Sequence, residues 1–246
     1  MAKDLVAKEE FRARGMQYYT FLAKLHGALR FDWYMEIGCR AGKSFGPISS
    51  NTVAVDPFFQ IETNVVSKKS RLHIIQETSD SFFESQFLEK NDIKPDLAFL
   101  DGMHHFEFLL RDFIGTERNA KPHSVVMMHD ICPWTSDMTT RGRDDFTGKA
   151  WTGDVWKVIP ILQKYRPDLD IQVLDARPTG LGVVRNLDPG NTVLTEAYDD
   201  IMAEFLDLDI ADFGFDTYYG SFNYTRAGRH ANGGFGYFTQ AGTPHE

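Results

Sequence analysis

The chain has 246 residues, 42% hydrophobic and 25% charged, enough apolar surface to offset chain entropy and exclude a mainly disordered state. Its net charge of −9 argues against a nonspecific binder of nucleic acid or of an anionic membrane. Its two cysteines, Cys39 and Cys132, exclude a disulfide scaffold and fit a reduced, cytoplasmic protein. No apolar run approaches the roughly 18 residues needed to cross a bilayer, and the charged N-terminus carries no apolar signal core. This length fits one α/β domain with extensions: a helical segment over 1–30, a core over 31–190, and a helix with a Gly/aromatic tail over 191–246.

In chain order, Leu5, Phe11, Met16, Tyr19, Leu22 and Leu25 recur every three to four positions and predict a helix over 4–30. Five short apolar runs follow at 31–38, 51–56, 71–76, 95–102 and 123–130, each ending in polar or glycine residues. Helical spacing separates several of them, at 80–92 and 105–119, which predicts a parallel sheet covered on both faces. The segments at 42–50 and 58–69 are short for crossover helices. Helical spacing returns at 153–166, where Pro160 is expected to kink or end the helix. Residues 169–175 and 181–186 flank a Pro/Gly turn and predict an antiparallel hairpin. Residues 135–149 break the pattern with charged and small residues, as a mobile loop would. A helix is expected at 192–207. The aromatic tail beyond it has no assignable pattern, and self-association through it is one reading.

Ligands of open α/β sheets bind at the carboxyl ends of the strands. The polar residues gather there. Glu36, Gly38 and Gly42 close the first strand, with an incomplete Gly-x-Gly-x-x-Gly spacing because Arg40 and Phe45 occupy two glycine positions. Asp56 closes the second strand, where a carboxylate can accept from ribose hydroxyls or cap a turn. Thr78 and Ser79 follow the third and can face an adenine or cap a helix. Asp101 and His104 follow the fourth strand, and His129 and Asp130 close the fifth. Two carboxylates on neighbouring strand ends can share a hard divalent cation such as Mg²⁺, and either histidine can take a substrate proton. The alternative for each is a loop held by hydrogen bonds. Cys39 and Cys132 have no evident base beside them and read as packing residues.

The segments YMEIGCRAGKS and VAVD resemble the first motif and ribose-binding strand of class I S-adenosylmethionine-dependent methyltransferases. LAFLDGMHHFEFLLRDF with VVMMHD is similar to the small-molecule O-methyltransferase branch, in which strand four ends Asp-Gly-x-His and strand five His-Asp. The resemblance covers about residues 31–187. It implies a Rossmann-like, doubly wound, seven-stranded sheet, mostly parallel, with the antiparallel hairpin at its C-terminal end. It further implies S-adenosyl-L-methionine in a pocket shaped by Glu36, Gly38 and Gly42, with Asp56 on the ribose and Thr78–Ser79 beside adenine. Asp101 would lie under the methionine moiety or a metal shared with Asp130, and His104, His129 and Asp130 would carry the chemistry. Metal-dependent relatives of the catechol type have an Asn after the strand-five acid, where this chain has Ile131. The expected acceptor is a small hydroxylated molecule, a sugar or natural product, with no nucleic-acid or membrane partner. Trp151 and Trp156, with the 135–149 loop, would close over it. A nucleotide-sugar or nicotinamide enzyme and a non-catalytic cofactor-binding or assembly module are the alternatives.

Overall fold

The computed structural model describes residues 5–245. Eight strands form one sheet: β1 (Trp33–Ile37), β2 (Asn51–Val55), β3 (Leu72–Ile75), β4 (Leu97–Leu100), β5 (Val125–His129), β6 (Asp170–Leu174), β7 (Leu181–Arg185) and β8 (Asn223–Thr225). Their spatial order is β3-β2-β1-β4-β5-β7-β6-β8. All pairs are parallel except those of β7, which runs antiparallel to both β5 and β6. The order reverses between β1 and β4, so the ends of those strands flank the crevice where α/β sheets bind ligands. The eighth strand lies beyond the expected seven and is contributed by the tail.

Alternation along the strands divides the core into two faces. Met35, Val53, Leu100 and Met128 point to one, while Tyr34, Ala54, Phe99 and Met127 point to the other. Crossover helices cover the first face: α2 (Ser79–Glu84), α3 (Phe106–Asn119) and α4 (Val158–Tyr165), whose Phe82, Phe113 and Ile161 are buried there. The connections 38–50 and 56–71 contain only turns, so no crossover helix covers the second face near β1–β3. Phe45, Ile48 and Val65 of those connections are buried there, and the chain ends complete the cover. Phe21, Leu22 and Leu25 of α1 (Tyr18–Ala28) pack against Phe235 and Phe238 of the tail. The ring of Phe21 lies 5.4 Å from that of Phe235. Antiparallel pairing of Leu29–Arg30 with Thr243–Pro244 ties the two ends together.

Several expected helices are shorter or divided. Residues 1–4 lie outside the described range, and the first α-helix begins only at Tyr18. Before it the chain is irregular, with one short 3-10 turn at Glu9–Phe11, and Gly15 presses on the hairpin: its N–H donates to the Asp175 carbonyl at 2.8 Å. A Cβ at Gly15 would sit 2.1 Å from Asp175 Oδ1. The 80–92 helix breaks where Gln86 takes a left-handed φ of 55°, and the 192–207 helix divides at Ala197. Pro160 neither kinks nor ends a helix. It falls in the first turn of α4, where backbone N–H groups have no intrahelical partner to lose. The 135–149 segment is tethered, in contrast to the loose loop its composition suggested. Arg141 pairs with Glu107 and with Asp154, the latter at 2.7 Å.

Candidate active site

The first strand ends in a turn whose shape is fixed by its neighbours. Gly38 donates to the Val55 carbonyl of β2 at 2.9 Å, and Asp101 donates to the Ile37 carbonyl at 2.9 Å. Strands β1 and β4 are thereby joined to their last residues. Gly38 has φ 87°, and a Cβ there would lie 1.9 Å from the Asp101 carbonyl oxygen. Only glycine fits such an approach. Glu36 is wholly buried beneath the turn, and its carboxylate accepts from the hydroxyls of Tyr34 and Ser44. Burial pushes its carboxyl up to about 7, with both hydrogen bonds opposing the shift. Gly42, with φ 76°, lets the turn pack on Val65.

Asp56 is buried at the end of β2. Its Oδ2 accepts from the Arg40 N–H at 2.8 Å and its Oδ1 from the Phe58 N–H at 2.7 Å, so it binds the first turn to the second. Each oxygen keeps a second lone pair for another donor. Thr78 caps α2, its hydroxyl oxygen accepting from the Ser81 N–H at 3.2 Å. Ser79 begins that helix and adjoins the buried carboxyl of Asp112.

The fourth and fifth strand ends converge on one cluster. His104 Nε2 lies 3.2 Å from Asp130 Oδ2 and 3.7 Å from Asp101 Oδ1. His129 Nδ1 lies 3.2 Å from Asp101 Oδ1 and 3.4 Å from Asp130 Oδ1. One ligand atom from each of Asp101, His104 and Asp130 falls within 4.8 Å of the others, so two oxygens and one nitrogen could grip a cation. Ile131 is fully buried in the core and offers no donor, leaving His104 as the third group. Burial favours the neutral imidazole of His104, but the carboxylates of Asp130 and Asp101 outweigh it and hold its pKa above the ordinary value. The same competition holds His129 well above it. Burial alone would raise Asp101, yet the two histidines depress it.

Two residues, Thr179 and Tyr18, complete the cluster without any motif to announce them. The Thr179 hydroxyl donates to Asp130 Oδ1 and lies 3.4 Å from His129 Nε2. Tyr18 packs its ring 4.1 Å from that of His129. Both come from segments remote in sequence, and composition around them gives no signal. Trp151 stacks on His104 at 4.9 Å and 17°, and its Nε1–H donates to the Thr140 carbonyl at 2.7 Å. Its companion, Trp156, is no lid: it is fully buried among Phe213 and Tyr218 in the core. The tail also supports the site, because Tyr218 and Tyr219 donate to the carbonyls of Ile131 and Pro133 just after Asp130. Cys39 and Cys132 are buried, and burial raises both thiols, which agrees with packing roles.

Residues 35–131 match a family described as a methyltransferase domain. Among solved structures, cofactor-bound Rv0187 from MTB is similar at a TM-score of 0.50 and 14% identity, over 69% of this chain and 79% of that one. The O-methyltransferase TomG from Streptomyces achromogenes, involved in tomaymycin synthesis and solved with SAM, has 14% identity over 70% and 78% of the two chains, at a TM-score of 0.46. An O-methyltransferase from Bacillus cereus in complex with SAH has 14% identity over 76% and 84%, also at 0.46. No curated protein matches the chain. At these identities the likeness is one of fold. The strand order with its antiparallel β7 is that of a Rossmann-like doubly wound sheet, and its stretch from β1 to β5 is the part of the chain that is similar to the methyltransferase-domain family.

Proposed function

We propose that the chain is an S-adenosylmethionine-dependent O-methyltransferase of a small hydroxylated molecule, a sugar or natural product. The observation that carries this reading is the meeting of Asp101, His104 and Asp130 beside the Gly38 turn, at the strand ends where the sheet order reverses. Methyl transfer from a sulfonium needs positioning, worth roughly 7–11 kcal/mol in ideal cases, and removal of the acceptor's proton, worth about 10²–10⁴-fold.

The residues divide that work. Gly38 and Gly42 let the backbone approach the cofactor, with Glu36 bracing the turn from below. Asp56 accepts from the ribose hydroxyls with its remaining lone pairs, and Thr78–Ser79 border the adenine. Asp101 and Asp130 supply hard oxygen ligands for Mg²⁺, with His104 beside them. When bound, the cation lowers the pKa of the acceptor hydroxyl and orients it. Where the cation is bound, His104 would be its third ligand; without it, His104, held by the two carboxylates and by Trp151, would receive the hydroxyl proton at Nε2. His129 has a carboxylate at one nitrogen and a hydroxyl at the other, which suits it to orient Asp101. Trp151 and the tethered 135–149 segment wall the acceptor side against water.

Calorimetric titration with S-adenosylhomocysteine, with Mg²⁺ and with chelator, tests the reading. Micromolar binding is expected, and Asp56→Ala should weaken it by at least about tenfold, the loss of one charged hydrogen bond. His104→Ala and Asp130→Ala should keep binding and lose turnover by about 10²-fold or more. Absent binding in every condition overturns the proposal.

A further inference from the structure

An open groove of about 910 Å³ lies beyond the active site, lined by Arg14, Gly15, Met16, Asp175, Arg226 and Arg229 among others. It stands on the same edge of the sheet as the site, because β5, β6 and β8 run parallel, and Asp175 and Arg226 directly follow β6 and β8. Two short stretches of chain join groove to site. Arg177 donates from its Nε to the Gly15 carbonyl at 2.7 Å and from its N–H to the Met16 carbonyl at 2.8 Å. Two residues on, Thr179 touches Asp130, so the backbones of Arg177 and Thr179 are at most about 7 Å apart. From the other side, Met16 leads within two residues to Tyr18, which packs on His129.

This groove gathers arginines around a single carboxylate. Arg14, Arg177, Arg226 and Arg229 are all exposed, and none forms an ion pair with a carboxylate among the described residues. Elsewhere Arg111, Arg141, Arg166 and Arg185 are each matched to an aspartate or glutamate, while Arg30, Arg40, Arg71, Arg118 and Arg143 have no ion pair among the described residues, so what sets the groove apart is the meeting of its arginines. The groove's one carboxylate, Asp175, already accepts from the Ala227 N–H at 2.7 Å. A chain of net charge −9 repels anions at long range. A local cluster of arginine forks reverses that field where it stands and matches the oxygens of a carboxylate or phosphate.

We infer that the methyl acceptor carries an anionic group, a carboxylate or a phosphate, which Arg14, Arg226 and Arg229 of the groove hold, with Arg177 beside them, while its hydroxyl reaches His104. This rests on the methyltransferase reading above and adds the substrate's charge to it. The arginines lie to one side of the strand ends occupied by the cofactor residues, so they address the acceptor alone.

Glucose, glucuronate and glucose 6-phosphate form a matched set of neutral, carboxylate and phosphate probes. Each is titrated to millimolar concentration into protein loaded with S-adenosylhomocysteine, with the arginine Nε–H signals read by NMR. At least one anionic sugar should move those signals at a concentration about tenfold lower than glucose does. The advantage should shrink with added salt and vanish in an Arg14→Gln, Arg226→Gln, Arg229→Gln variant. A response to glucuronate alone assigns a carboxylate, and one to glucose 6-phosphate alone a phosphate. Equal, weak responses to all three while S-adenosylhomocysteine still binds overturn this inference and leave the methyltransferase reading intact. Anion binding without S-adenosylhomocysteine binding removes the acceptor assignment together with that reading. A 12-nucleotide single strand that moves the same signals at lower concentration than either sugar assigns the groove to nucleic acid and also overturns the inference.

Discussion

The two faces of the sheet solve the same problem with different parts of the chain. On one face the crossover helices α2, α3 and α4 bury Phe82, Phe113 and Ile161 next to the strands that precede them in sequence. On the other, where the first two connections hold no helix, much of the cover comes from Tyr18–Ala28 and from Phe235 and Phe238, at opposite ends of the chain. The first face is local in sequence. The second is closed by contacts between residues more than 200 positions apart, such as Phe21 with Phe235, and the same ends bring Tyr18, Tyr218 and Tyr219 to the candidate site. A peripheral extension in sequence is therefore core in space.

The largest effect should follow from removing one of those ends. A chain stopped after Ser221 loses β8, both tail phenylalanines and the strand that pairs with Leu29–Arg30. We expect loss of cooperative unfolding by near-ultraviolet circular dichroism. A truncated protein that still melts sharply would show that the tail is dispensable.

A smaller pair of changes asks whether the two faces carry equal weight. Phe113→Ala and Phe238→Ala each empty a fully buried ring site, one on each face. Each should cost about 3–5 kcal/mol in denaturant unfolding. A cost under about 1 kcal/mol at Phe238 alone would mark the terminal face as loosely attached.

The smallest effects distinguish the faces by pH. Asp112 on α3 and His26 on the N-terminal helix are both buried with unpaired side-chain atoms. Burial raises the Asp112 carboxyl to about 7, so the folded state holds a proton the unfolded chain releases near the usual carboxylate value. Its contribution is complete at low pH and is lost as pH rises through about 7. Burial, helped by the charges of Lys69 and His245, lowers His26 to about 3. Its contribution is complete above the ordinary histidine value and is lost as pH falls toward 3. Urea midpoints from pH 4 to 8 should therefore gain from Asp112→Asn at the alkaline end and from His26→Phe at the acidic end. The same slope in both variants as in the parent protein would refute these assignments.

The amino-acid sequence by itself determined the elements with short-range causes. Apolar runs placed β1 to β5, the Pro/Gly turn placed the hairpin, and the polar strand ends named Asp101, His104, His129 and Asp130, because a parallel strand must finish where ligands bind. Thr78 was legible as a cap from its place before Ser79–Glu84. What only the tertiary structure decided depends on long-range contact. Gly15 against Asp175 ended the helical reading of the first residues, although their spacing alone suits a helix. Buried among Phe213 and Tyr218, Trp156 went to the core, while Trp151 went to His104. The arginines of the groove are scattered over 14, 226 and 229, and no local pattern joins them. They meet because the sheet sets the ends of β6 and β8 side by side and the N-terminal segment crosses those ends, a juxtaposition fixed by packing and invisible to periodicity.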